Sequence, residues 1–271
     1  MAKETAKSRD TASDLQSDLQ GQKVAVFGAL RGIGRAIAEA FCAAGSKVIG
    51  FDLESPNDPA PVFAHFVRGD ITQFDQVLEF ARLTGHVDHV VYSVGIGSGK
   101  VGFPFWRLEP GDWHRVVEVN LMGAVNVAHA FAPAMAEQKR GTFLFLVSVA
   151  GQIGSQTDPP YSAAKAALIN FVQCAAKDLA TFGVRVNAMA PGMVQTELNR
   201  SVWEASQNAL PSSQRVSYDV WANEKLSRVS PLARWQMPSE FGAMAVFLAS
   251  DHARSITGQT INIDGGQVMH S

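Results

Sequence analysis

From Lys23 onward, short apolar runs alternate with longer segments of helical period, and this alternation restricts the chain more than any other feature. Parallel strands need a long crossover between them, normally a helix, so the alternation specifies βαβ units and a parallel sheet. Strands are predicted at Lys23–Phe27, Lys47–Asp52, Val62–Arg68, Val87–Ser93, Thr142–Val147, Val184–Ala190 and Thr260–Ile263. Several of these runs (VAVF, DHVVYSV, FLFLV) are apolar without alternation, as strands are when helices cover both faces of their sheet. The expected fold is α/β, a doubly wound sheet of seven parallel strands in a single domain over residues 21–271. Residues 1–20 are polar, nearly free of large apolar side chains, and expected to form a mobile tail.

Composition bounds the partners. Hydrophobic residues make up 46% of the chain and charged residues 18%, the balance of a chain that buries a core. A formal net charge of −2 without runs of Lys or Arg gives no field to gather nucleic acid or an anionic membrane, which leaves a small molecule as the expected partner. No apolar stretch approaches the ~18 to 20 residues of a membrane span, and the start lacks the apolar core of a signal peptide, so a cytoplasmic protein is expected. Cys42 and Cys174 lie far apart in predicted helices and read as reduced core residues. His86 and His89, the one close histidine pair, have no acidic partner at ligand spacing, and no metal site is expected.

Two predicted helices, Asp112 to about Gln138 and Tyr161 to about Phe182, are apolar around much of their circumference. A sheet covers one side of each. A symmetry-related subunit is the simplest cover for the other, which implies a homo-oligomer; the chain's own loops are the alternative.

After the first strand comes Gly28-Ala29-Leu30-Arg31-Gly32-Ile33-Gly34, followed at once by a helix-forming run. Glycines let the backbone turn tightly against a pyrophosphate, and the free N–H groups of the helix start favour its charge. Eighteen residues past Gly34, Asp52 ends the second strand, where a Rossmann-type fold places a carboxylate on the adenosine ribose. Tyr161 and Lys165 stand at i and i+4 on one helix face, after a strand that ends at Ser148. A phenol titrates near 10, so neutral-pH acid/base work calls for a lowering of ~3 units, worth about 4 kcal/mol, from nearby positive charge.

These motifs, in their order and spacing, together with Asp70 in Gly69-Asp70-Ile71-Thr72, Asn120 and Pro191-Gly192, resemble the single-domain short-chain dehydrogenases/reductases from about Lys23 to Gly266. The resemblance implies a nicotinamide-dependent oxidoreductase moving a hydride to or from an alcohol or ketone. Tyr161 would be the proton donor or acceptor, Ser148 would hold the substrate oxygen, and Lys165 would bond the nicotinamide ribose. Asn120, in mid-helix where Asn has poor propensity, would hold a water in a proton relay. Asp70 and Ile71 would flank the adenine, and Val194 and Thr196 would grip the carboxamide. Gly28, Arg31, Gly32, Ile33, Gly34, Ser93, Gly95, Pro191 and Gly192 complete the implied cofactor site, and a tetramer is the assembly implied. Two departures stand out: Phe27 replaces a usual Thr, and Tyr92-Ser93-Val94-Gly95 replaces Asn-Asn-Ala-Gly. We expect Phe27 and Tyr92, ending neighbouring strands, to substitute aromatic contact for a polar tie.

Cofactor choice turns on two residues. Asp52 accepts hydrogen bonds from a ribose diol and repels a 2′-phosphate, which points to NAD; Arg31 points to NADP, unless it pairs with Asp52. NAD is expected. Residues 197–230, with Trp203, Tyr218 and Trp221, read as a substrate lid. Gln152, Gln156, Asp158 and Asn199 suggest a sugar, polyol or hydroxy acid, the substrate expected here, whereas Phe103, Phe105 and Trp106 suggest a bulkier ketone, and the alternative is a 3-oxoacyl thioester reduced by NADP(H). A sugar-nucleotide epimerase would need a further substrate domain, and a non-catalytic dinucleotide sensor would be expected to lack one of Asn120, Ser148, Tyr161 and Lys165.

Overall fold

The computed structural model describes residues 18–56, 62–100 and 104–269. Strands β1 (Lys23–Phe27), β2 (Lys47–Asp52), β3 (Phe63–Arg68), β4 (His89–Tyr92), β5 (Gly141–Leu146), β6 (Val184–Pro191) and β7 (Thr260–Ile263) form one sheet in the order β3-β2-β1-β4-β5-β6-β7. Every neighbouring pair is parallel. The chain winds outward from β1 to β3, then crosses back beside β1 to start β4 and winds the other way. This reversal leaves a crevice at the carboxyl ends of β1 and β4, where open parallel sheets take ligands.

The helices are α1 (Gly32–Ala43), α2 (Phe74–Thr84), α3 (Gly111–Gln138), α4 (Pro159–Ala180), α5 (Glu197–Asn208), α6 (Tyr218–Val229) and α7 (Pro238–Ala249). One core joins the sheet to α2, α3 and α4 through Phe27, Phe80, Tyr92, Phe131, Phe145 and Leu168. The other joins it to α1 and α7 through Val26, Ile37, Phe41, Leu144, Phe241 and Leu248. α3 is long and apolar enough to cross a membrane, but it lays Val119, Val127, Phe131 and Met135 into the first core. α4 starts two residues before the expected Tyr161, because Asp158 caps it and Pro159 opens its first turn.

The expected tail falls outside the described residues for 1–17, and its last three residues correct the expectation. Leu19 is fully buried in the second core, and the Ser46 hydroxyl donates to its carbonyl at 3.1 Å. One leucine in a polar run gives no periodic signal. Cys174 also differs from expectation: it is exposed, on the side of α4 turned away from the sheet with Ala163, Ala166 and Ala167. The segment 197–230, expected as a substrate lid, contains the helix pair α5 and α6, whose Trp203 and Tyr218 pack edge to face.

Candidate active site

Lys165 is almost wholly buried, at 2% exposure, because the i+4 face of α4 turns it into the sheet end. Its Nζ donates to the Leu146 carbonyl at 2.8 Å and lies 5.6 Å from the centre of the Tyr161 ring. Burial pushes the ammonium down to about 7, since little around it replaces the lost water. Burial also pushes the Tyr161 phenol up to about 12, against the Ser148 hydroxyl, which favours the phenolate. This direction comes from groups of the chain alone, whereas the lowering expected from the sequence calls on positive charge that includes a bound nicotinamide ring. Ser148 ends the β5 segment with its Oγ accepting from the Ala150 N–H at 3.1 Å, beside Tyr161.

Asn120 is fully buried in a π turn of α3, Glu118–Met122. Its Nδ2 donates to the carbonyls of Val116 (2.9 Å) and Ile96 (2.8 Å), and its Oδ1 accepts from the Ile96 N–H at 3.3 Å. The amide therefore ties α3 to the segment leaving β4. A Cβ on Gly95 would lie 3.1 Å from Asn120 Oδ1 and 3.4 Å from Lys165 Nζ, so glycine lets the two approach one point of backbone.

At the switch point, Gly28 (φ +76°) turns the chain from β1 toward α1, and a Cβ on Gly34 would collide with the Gly28 carbonyl. Ser93 packs on both glycines from the end of β4. Arg31 precedes α1 without a side-chain cap, and no acidic residue lies in the first turn, so the N–H groups of Gly32, Ile33 and Gly34 face an open anion cradle. Asp52 stands at the neighbouring strand end, its carboxylate accepting from the Leu30 N–H at 3.1 Å and the Leu53 N–H at 2.8 Å. Across the cradle, the Thr196 methyl would lie 3.6 Å from a Cβ on Gly32. Pro191 and Gly192 bring that segment in from β6, with Gly192 packed against the Asp264 backbone.

A family model described as Enoyl-(Acyl carrier protein) reductase matches residues 28–268. The chain belongs to the short-chain dehydrogenase/reductase family. It is an oxidoreductase that acts on CH–OH or keto groups with a nicotinamide cofactor. It is 34% identical over 265 residues to a 3-oxoacyl-[acyl-carrier-protein] reductase of Synechocystis, covering 93% of this chain and 98% of the relative. An acetoacetyl-CoA reductase of Shinella zoogloeoides is 32% identical over 250 residues, 89% of this chain and 96% of that one. A ligand-free aldohexose dehydrogenase of Thermoplasma acidophilum superposes with a TM-score of 0.81 at 29% identity, covering 94% and 97% of the two chains. The uncapped α1 start, with glycines where side chains would block it, fits the family's dinucleotide.

Other sequence expectations change once side chains are placed. Ile71 packs into the core beneath α3, where it would meet a Cβ on Gly123, so its backbone rather than its side chain remains for an adenine. Val194 is likewise buried, bridged to Gln236. Asp70 accepts from the Thr72 N–H and hydroxyl, closing its own turn. Arg31 does not pair with Asp52; it sits 3.7 Å from Glu54 and 3.6 Å from Glu197. Of the polar groups offered for substrate, Gln152 is held by Asn262, Asp158 by Ser98 and the α4 start, and Asn199 by Tyr218. A cleft of about 630 Å³ runs between Phe105–Trp106 and the start of α4, lined by Gly151, Gln156 and Ala163 but not by Tyr161 or Ser148. Phe103 lies outside the described residues. Phe27 and Tyr92 do not stack: Phe27 packs with Phe51, Phe80 and Phe131, while Tyr92 packs with Phe145 and donates its hydroxyl to the Val119 carbonyl. The sequence reading missed Glu54 and the Tyr92 tie, because each depends on which strand ends meet.

Proposed function

We propose that this chain is an NAD(H)-dependent reductase of ketones, with Tyr161 as the proton donor to the substrate oxygen. The observation that carries the reading is the convergence of Tyr161 with the buried Ser148 and Lys165, the phenol lying beside the Ser148 hydroxyl with its ring 5.6 Å from the Lys165 Nζ, placed to give a proton to a developing alkoxide. Ser148 holds that oxygen beside the phenol, and Lys165 supplies positive charge as the proton leaves Tyr161. Asn120 fixes the backbone from β4 against which Lys165 packs. When bound, the nicotinamide supplies the hydride. Gly28, Gly32, Ile33 and Gly34 would hold its pyrophosphate, Asp52 the adenosine ribose, and Pro191 to Thr196 its carboxamide end.

NAD is favoured because Asp52 and Glu54 place two carboxylates where a 2′-phosphate would sit, while the guanidinium of Arg31 is shared between Glu54 and Glu197. For substrate, the structural ties of Gln152, Asp158 and Asn199 weaken the sugar or polyol reading, and the likeness to a 3-oxoacyl-[acyl-carrier-protein] reductase and an acetoacetyl-CoA reductase supports a 3-oxoacyl thioester. The likeness to an aldohexose dehydrogenase keeps a sugar as the second reading. The segment of α5 and α6 serves as the substrate cover. The two free cysteines support a reducing, cytoplasmic setting. Reduced-nicotinamide absorbance with a short 3-oxoacyl thioester, an aldohexose and both cofactors tests the assignment. We expect higher kcat/KM for the thioester and for NADH, and Tyr161→Phe to lower kcat by ~10²- to 10⁴-fold with cofactor binding kept. Preference for NADPH would overturn the role given to Asp52 and Glu54.

A further inference from the structure

We propose that Tyr92 is a positioning residue for the reaction, holding the π turn of α3 in the register that presents Asn120 to the Lys165 side of the site. The proposal rests on the catalytic reading of Asn120, Tyr161 and Lys165 above.

The π turn Glu118–Met122 widens the helix ladder, and one carbonyl within it and one just before it take side-chain donors. The Val116 carbonyl receives the Asn120 amide, and the Val119 carbonyl receives the Tyr92 hydroxyl. Tyr92 and Asn120 are both at 0% exposure, so water cannot replace either donor. The fit is specific to this pair of elements: a Cβ on Gly123, the first residue after the turn, would lie 2.7 Å from the Tyr92 hydroxyl oxygen. Tyr92 also ends β4, three residues before Gly95, where Asn120 Oδ1 and Lys165 Nζ converge. One phenol thus braces the strand end and the turn that together set the Asn120 amide. Burial raises its own pKa beyond reach of ordinary pH, so it acts as a fixed donor and not as a second acid.

Tyr92→Phe removes the hydroxyl and keeps the ring, and a thermal melt verifies that the variant is folded. Two readouts decide. The first is kcat against KM: we expect kcat to fall at least about fivefold with cofactor KM unchanged, because the loss affects transition-state geometry and not cofactor contacts. The second is hydrogen exchange of the Asn120 side-chain amide by NMR, identified by its disappearance in Asn120→Asp; it should quicken at least about fivefold as the π turn loosens. A smaller change in either overturns the proposal. If Tyr161→Phe and Asn120→Ala keep wild-type turnover, the catalytic reading fails instead, and amide exchange alone still decides whether Tyr92 sets Asn120.

Discussion

Lys165 shows how a site residue trades stability for chemistry. Its Nζ has the Leu146 carbonyl as hydrogen-bond partner, and burial holds it at about 7 instead of the usual 10.5. An unfolded lysine takes its proton below the ordinary value, whereas the folded one takes it only near neutrality. Stability is therefore lost as the pH falls from 10.5 to 7, and the whole cost is present below 7. Replacing the cation by a methylene chain of similar length should return part of that cost. We expect Lys165→Met to raise unfolding free energy at pH 7 by about 2 to 4 kcal/mol while abolishing turnover, measured by urea denaturation and by assay. A variant less stable than wild type would mean that the Leu146 hydrogen bond outweighs desolvation.

Among the elements, β6 and α7 depend on each other through one guanidinium. Arg185 reaches from β6 to the carbonyl end of α7, where it donates to Leu248 at 2.6 Å, Ala249 at 3.1 Å and Ser250 at 3.1 Å. These are carbonyls that a helix end leaves unpaired, and a cation there also meets the negative end of the helix dipole. Arg185→Met should cost at least about 2 kcal/mol in denaturant unfolding, with KM and kcat unchanged at 25 °C, because a single hydrogen bond from a charged donor is worth about that much and this guanidinium makes several. α1 works in the opposite sense. Its start has no side-chain cap, so its dipole and N–H groups remain available to an anion, and the helix is anchored instead by burial of Ile37, Ala38 and Phe41.

For the molecule as a whole, the amino ends of the strands carry a pH-dependent share of stability far from the site. His89 is buried between Thr142 (2.7 Å) and Gln22 (2.5 Å), and burial, reinforced by Arg185 and Arg140 against the attraction of Asp88, holds it down at about 4. The unfolded histidine protonates near 6.5, so stability falls as the pH drops from 6.5 toward 4. We expect about 2 kcal/mol of this loss between pH 7 and 5, and His89→Gln to flatten that slope in urea titrations. The outer faces of α3 and α4, with Met122, Ala163, Ala167 and Cys174 exposed, would be the surface of the homo-oligomer expected from the sequence, a tetramer by family resemblance. Sedimentation should show a multimer at micromolar concentration, and a monomer would remove that assignment.

The sequence by itself determined the sheet, the glycine turn, the Asp52 strand end and the spacing of Ser148, Tyr161 and Lys165, because each is written in local period or short-range spacing. β1, β2 and β7 begin and end where the periodicity places them. Only the tertiary structure decided the electrostatics and the pairings. Whether Lys165 lowers the Tyr161 pKa depends on how much water the fold removes from both. Whether Arg31 meets Asp52 or Glu54, and whether Tyr92 stacks on Phe27 or bonds Val119, depends on side-chain direction across elements far apart in the chain. Burial and contact of that kind are properties of the packed whole, and no window of residues contains them.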